Sequence, residues 1–155
     1  MNRNRENRIY WNRGWSFFEE YTPVLCEKET AGFPEGTEVE LPHTAAVTPL
    51  HYFDESIYQK HCAYRKCFVP EKDWEGKRIF LNIEAAGHSA RVYLNGILLT
   101  EHFCGYTAFQ AELTAEIRQG MENVLLIEVD SRESQDLPPF GRAIDYMTFG
   151  GLYRE

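Results

Sequence analysis

The sequence lacks several things at once, and each lack removes a class of protein. No apolar run approaches the roughly 20 residues of a membrane span, and the charged opening MNRNRENRIYWNRGW has no apolar stretch of the kind that marks an export signal. Basic charge is scarce. Sixteen Lys and Arg stand against 24 Asp and Glu, a net charge of −8, and beyond the Arg-rich first eight residues no basic stripe could neutralise phosphates. Neither a nucleic-acid partner nor a membrane partner is expected. The glycines never form GxGxxG or GxxxxGK(S/T), so there is no phosphate cradle. Repeats, heptads and low-complexity tracts are also missing. At 155 residues the chain cannot hold an eight-unit β/α barrel, which needs about 250.

Cysteine is present but not in a patterned form. The four residues are Cys26, Cys62, Cys67 and Cys104, and without an export signal they read as reduced thiols of a cytoplasmic protein. His61, Cys62, Cys67, His102 and Cys104 could in principle ligate zinc. Structural zinc uses paired knuckles, however, and Cys62 and Cys67 have four residues between them with no second pair. No metal and no cofactor are expected, and no local sequence matches a Cys/His nucleophile signature.

What remains favours a core. Hydrophobic residues make up 43% and aromatics 14%, enough for one domain spanning 1–155. From Arg78 onward the period is two: in RIFLNIEA, Ile79, Leu81 and Ile83 alternate with Phe80, Asn82 and Glu84. ARVYL-NG-ILLTEH then predicts a hairpin with Asn95-Gly96 as the positive-φ turn. NVLLIEVDS (123–131) has the length and apolarity of a buried strand, and Gly120 before it suits the end of a single helical turn. Further strands are predicted at Gly14–Phe18, Glu38–Leu41 and Ala63–Val69, separated by turn-rich stretches at Phe33–Gly36 and Pro70–Gly76. Seven or eight short strands with long connections predict an all-β sandwich of the jelly-roll kind.

Near the end, LPPFGRAIDYMTFGGLYRE predicts a surface loop, marked by Pro138-Pro139 and Gly141, before a last strand, and places Asp145 in that loop with Phe140, Arg142, Tyr146 and Phe149. A carboxylate that accepts from two hydroxyls, with aromatic faces to cover a ring, suits a sugar. On composition alone the favoured reading of the same residue is a solvated loop carboxylate or a partner of Arg142. Gly150-Gly151 reads as a close backbone approach or a bulge.

Taken in order, NRGWSF, LPHT (41–44), AYRKCFVP (63–70), KRIFLNIEAAGHSARVYLNGILLTEHFCGYTAFQAELT (77–114), GMENVLLIEVD (120–130) and DYMTFGGLYRE (145–155) resemble the N-terminal sugar-binding domain of glycoside hydrolase family 2, the family of β-galactosidases and β-glucuronidases. The resemblance implies a galactose-binding-like jelly roll, followed in family members by an immunoglobulin-like sandwich and a catalytic TIM barrel. The family's acid/base and nucleophile glutamates lie in that barrel. No catalytic residue is therefore assigned here, and the chain alone is expected to be inactive, a retaining mechanism being implied only for the longer protein.

One substrate contact carries over. The family's Asp at the head of D-x-x-x-x-(G/A/S)-G-(I/L)-x-R falls on Asp145, which the resemblance makes the substrate-binding residue. Gly151 and Arg154 match the same motif as structural residues, the glycine for backbone approach and the arginine for an ion pair at a domain junction. Asn95 and Gly96 match as turn residues. The chain departs from the family at Ala45-Ala46 and Cys62-Ala63, where aromatics are frequent, and the family's polar residue from the 45–60 region has no assigned position. The resemblance implies a carbohydrate substrate, bound weakly or not at all by the isolated domain because most pocket contacts come from the barrel, together with further C-terminal domains and a homo-oligomer. A stand-alone carbohydrate-binding module is the alternative, and a purely structural interaction domain is a third reading.

Overall fold

The computed structural model describes residues 8–47, 50, 54–137 and 149–154. Ten strands lie among them: β1 (Trp15–Phe18), β2 (Thr37–Val39), β3 (His43–Thr44), β4 (His61–Phe68), β5 (Phe80–Ile83), β6 (Ser89–Leu94), β7 (Ile97–His102), β8 (Phe109–Glu112), β9 (Asn123–Asp130) and β10 (Gly151–Leu152). They form the expected all-β sandwich. One layer is a six-stranded antiparallel sheet in the order β2-β1-β4-β9-β6-β7, and the other is built from the pairs β5-β8 and β10-β3.

The long apolar run becomes the centre of the large sheet. β9 pairs with β4 along its full length, from Asn123 opposite Phe68 to Asp130 opposite His61, and with β6 on its other side. Because side chains alternate, Leu125, Ile127 and Val129 face the second layer, where they join Trp15, Phe17, Cys62, Tyr64, Val92, Leu94, Ile83, Ala111, Leu113 and Leu152. Leu126 faces the opposite way and packs with Phe18, Leu25 and Ala63. A sheet that is covered on both faces explains why this strand is apolar throughout rather than alternating.

The cover on the second face is the β1–β2 connection, which contains a 3₁₀ turn at Pro23–Cys26. The buried Arg65 of β4 holds it in place. Its guanidinium donates from Nε to Leu25 O (3.1 Å), from one terminal nitrogen to Glu27 O (3.1 Å) and from the other to Glu29 Oε1 (2.6 Å). It also stacks 4.8 Å from the Phe33 ring centroid.

The hairpin forms where predicted, with Asn95 at φ 53° and Gly96 at φ 85°, the signs of a type I′ turn. The register of β6 and β7 shifts between Val92 and Tyr93, which leaves Leu99 without a partner and bends the sheet edge. Of the other predicted strands, Gly14–Phe18 loses its first residue in β1, Glu38–Leu41 moves toward the N-terminus as β2, and Ala63–Val69 starts two residues earlier as β4. The last strand expected after the terminal loop is the two-residue β10, and two strands were missed, β8 and the two-residue β3. The single turn expected before Gly120 is present, with Ile117 N donating to Leu113 O at 3.0 Å, and Gly120 follows at φ 66°. All four cysteines are free, Cys62 is buried and Cys67 is exposed.

Candidate functional site

Asp145 itself lies outside the described residues, as do Phe140, Arg142 and Tyr146. What the structure describes is the frame on both sides of residues 138–148. On the N-terminal side, β9 ends at Asp130 and the fully buried Ser131 follows. The Ser131 hydroxyl donates to Tyr58 O at 2.6 Å and accepts from Lys60 N at 3.0 Å, which ties the 58–60 segment to the end of the central strand. On the C-terminal side, β10 pairs with β3 (Gly151 opposite Thr44, Leu152 opposite His43), and Gly151 O accepts from Gly87 N at 3.1 Å.

Three glycines let these backbones meet. A Cβ on Gly150 would stand 2.5 Å from Ser131 Oγ, and one on Gly87 would stand 2.6 Å from Phe149 O. Gly151 combines a φ of 108° with a would-be Cβ 2.6 Å from Tyr64 Oη and 2.7 Å from His43 O. The close backbone approach expected at Gly150-Gly151 is therefore present. Tyr64, fully buried, lies 2.9 Å from His43 Nδ1 and accepts from Leu152 N at 3.4 Å. Burial pushes its hydroxyl well above the ordinary tyrosine value, so it acts as a neutral hydrogen-bonding post.

The electrostatics of the frame are quiet. Burial pushes the Asp130 carboxyl up, but the side chain and backbone N–H of Arg132 more than reverse this and hold it below its ordinary value. The Arg132 fork binds both oxygens, at 2.9 and 2.6 Å. Burial lowers the pKa of the 7% exposed His88 imidazole, and Asp130 only partly opposes that. Among the described residues the frame holds no pair of free carboxylates and no nucleophile beside a base.

The other sequence candidates scatter. His61 Nε2 lies 2.8 Å from the buried Glu128, whereas His102 Nε2 lies 2.9 Å from Thr107 Oγ1 and its ring stacks on Phe109. No three metal-ligating side chains gather among the described residues. Arg154 donates to Tyr106 O at 3.3 Å and lies over the Tyr153 ring. Asn95 does more than turn the chain. Its amide donates to Glu116 O and Asn123 Oδ1, both at 2.9 Å, and accepts from Val124 N at 3.1 Å, fastening the hairpin to the start of β9.

Glu128 was not foreseen at all. Its side chain is 4% exposed and is held by Arg91 at 3.0 Å and Tyr93 Oη at 2.8 Å, in addition to His61. The one Glu flanked by apolar residues in VLLIEV was the available signal, because a buried carboxylate demands partners. The described residues include no helix long and apolar enough to cross a membrane.

No family model matches the chain. Individual relatives do. A β-galactosidase of Thermoanaerobacter pseudethanolicus is 43% identical over 117 residues, 75% of this chain and 16% of its own length. A β-galactosidase of Thermoanaerobacterium thermosulfurigenes is 41% identical over 145 residues, 93% of this chain and 20% of its own length. Among solved structures, a protein assigned as a β-galactosidase from Bacteroides fragilis superposes with a TM-score of 0.79 at 30% identity, over 94% of this chain and 22% of that one. A Bacteroides uniformis β-glucuronidase gives 0.74 at 29% identity, over 92% and 16%. The chain thus spans about a fifth or less of the two β-galactosidases matched by sequence. Sandwich, motif order and relatives agree, and the chain belongs to glycoside hydrolase family 2, the β-galactosidases and β-glucuronidases.

Proposed function

We propose that this chain is the N-terminal carbohydrate-binding domain of a retaining β-glycoside hydrolase, that it forms one wall of the active site, and that Asp145 binds substrate hydroxyls there. The observation that carries the reading is the frame around 138–148. The chain is fixed to the buried sandwich at Ser131, ahead of that segment, and again at the Gly150-Gly151 seam that follows it. Binding residues are commonly carried on loops that a rigid scaffold positions, and Asp145 falls between these two anchors in the sequence. The cleavage chemistry belongs to parts of the protein beyond this chain, consistent with the small share of each relative that it spans. The homo-oligomer and the further C-terminal domains belong to the same proposal, as does a cytoplasmic location, which the four free thiols support.

An immunoblot of source cells with antibody raised against the chain tests the domain assignment. A band above about 60 kDa, the size once a second sandwich and a barrel are added, is expected. A band only at 18.1 kDa would contradict it.

A further inference from the structure

The second face of the large sheet carries a groove of about 550 Å³, at the end of β6 and β9 away from the 138–148 frame. Its walls are Tyr21 and Pro23 from the covering connection and Tyr93 from β6, and Glu27, Lys28 and Arg118 stand around them. Its volume falls in the range of small-ligand sites, about 300–1,000 Å³.

Two features separate it from an ordinary surface crease. The aromatic wall is pinned from behind: Tyr93 Oη binds the buried Glu128 at 2.8 Å, Arg91 and His61 hold the same carboxylate, and the Tyr21 ring packs on His61 with centroids 5.0 Å apart. The rings therefore keep their orientation without a ligand, which lowers the entropic cost of binding. The charges at the rim are also unspent. Arg8, Arg13, Lys60, Arg65, Lys77, Arg78, Arg91 and Arg132 are ion-paired, whereas Lys28 and Arg118, like Lys66, Lys72 and Arg154 elsewhere on the surface, have no ion-pair partner among the described residues. With Glu27 counted, the rim carries two positive charges and one negative.

We propose that this groove is a binding site for a uronic acid, a small saccharide that carries a carboxylate. Lys28 and Arg118 take the carboxylate, Glu27 accepts from ring hydroxyls, and the apolar face of the sugar lies against Tyr21 and Tyr93. A neutral sugar would leave the cations unmatched, and a simple carboxylate would leave the aromatic wall and Glu27 unused. The choice of a saccharide rests on the carbohydrate reading above, whereas the requirement for an anion rests on the groove's own charges.

The test is a titration of the isotope-labelled 155-residue chain followed by amide NMR, with sodium D-glucuronate, D-glucose and sodium acetate at constant ionic strength. Expected are glucuronate-dependent shifts at Tyr21, Tyr93 and Arg118 with a millimolar Kd, and binding of glucose and acetate at least about tenfold weaker. The K28A/R118A double variant changes two exposed side chains, so a well-dispersed spectrum shows that it folds, and it should lose glucuronate binding by at least about tenfold. Asp145→Ala separates the two readings: the groove shifts persist in it even if Asp145 has no role with sugars. No shifts at the groove up to about 50 mM, equal binding of glucose or acetate, or full glucuronate binding by the double variant would each overturn the proposal.

Discussion

At Gly151, backbone geometry and crowding coincide. A side chain there would meet Tyr64 Oη, His43 O and a φ of 108° at once. Gly151→Ala should destabilise the chain by about 3 kcal/mol, from left-handed strain together with overpacking, read as a lower urea midpoint at unchanged slope. An unchanged midpoint would mean that the seam yields easily. Glu128 is the other sensitive position. Glu128→Ala removes a buried anion but leaves Arg91 and His61 behind it, and should cost about 3 kcal/mol, with a calorimetric melt as the check. Residues of these two kinds differ in how openly the sequence shows them. A glycine pair in an aromatic stretch announces close approach, and one Glu in NVLLIEVD announces a buried partner, but neither says which residue answers. Arg91, Tyr93 and His61 come from two other strands, and that pairing is settled only by sheet order.

At the scale of elements, β9 is the member that both layers share. Ile127→Ala should cost about 2–5 kcal/mol, the usual price of a large cavity in a well-packed core, whereas truncating the exposed Ile97 at the sheet edge should cost under about 1 kcal/mol. Equal losses would contradict the placement of β9 at the centre. The strands that could be read in advance were those with local signatures: the alternation in 78–85, the Asn95-Gly96 turn, and the length of 123–130. β3 spans two residues, too few for any period to show, and β10, equally short, was expected only as a last strand after the loop; the two pair because the chain returns on itself at the glycine seam. The covering connection was equally hidden. Its 3₁₀ turn has no apolar periodicity, and only Arg65, reaching from β4 to three of its residues, explains why it lies where it does.

For the molecule as a whole, acid should act through its histidines. Burial lowers the pKa of both His43 and His88 from the ordinary 6.5, so the unfolded chain binds protons that the folded one refuses. Stability is then full above about pH 6.5 and falls as the pH drops through and below that value, with the lowered Asp130 adding a further loss near and below 3.8. Urea midpoints at pH 7.5 and pH 5.5 should differ in that sense, and His88→Gln should narrow the gap. A midpoint that rises on acidification would reverse the assignment.

The proposed place of this domain in a larger enzyme was legible only through ordered motifs, since strand patterning pointed to a sandwich and length excluded a barrel without naming a sugar. The measurement that bears most directly on the central claim is kcat/KM of the complete protein that carries this chain, assayed on nitrophenyl β-galactoside and β-glucuronide, with Asp145 intact and as Asp145→Ala. Loss of a charge-assisted bond to substrate predicts a fall of about 10- to 100-fold, with an unchanged melting temperature. Unchanged kcat/KM in the variant, or no glycosidase activity in the complete protein, would contradict it.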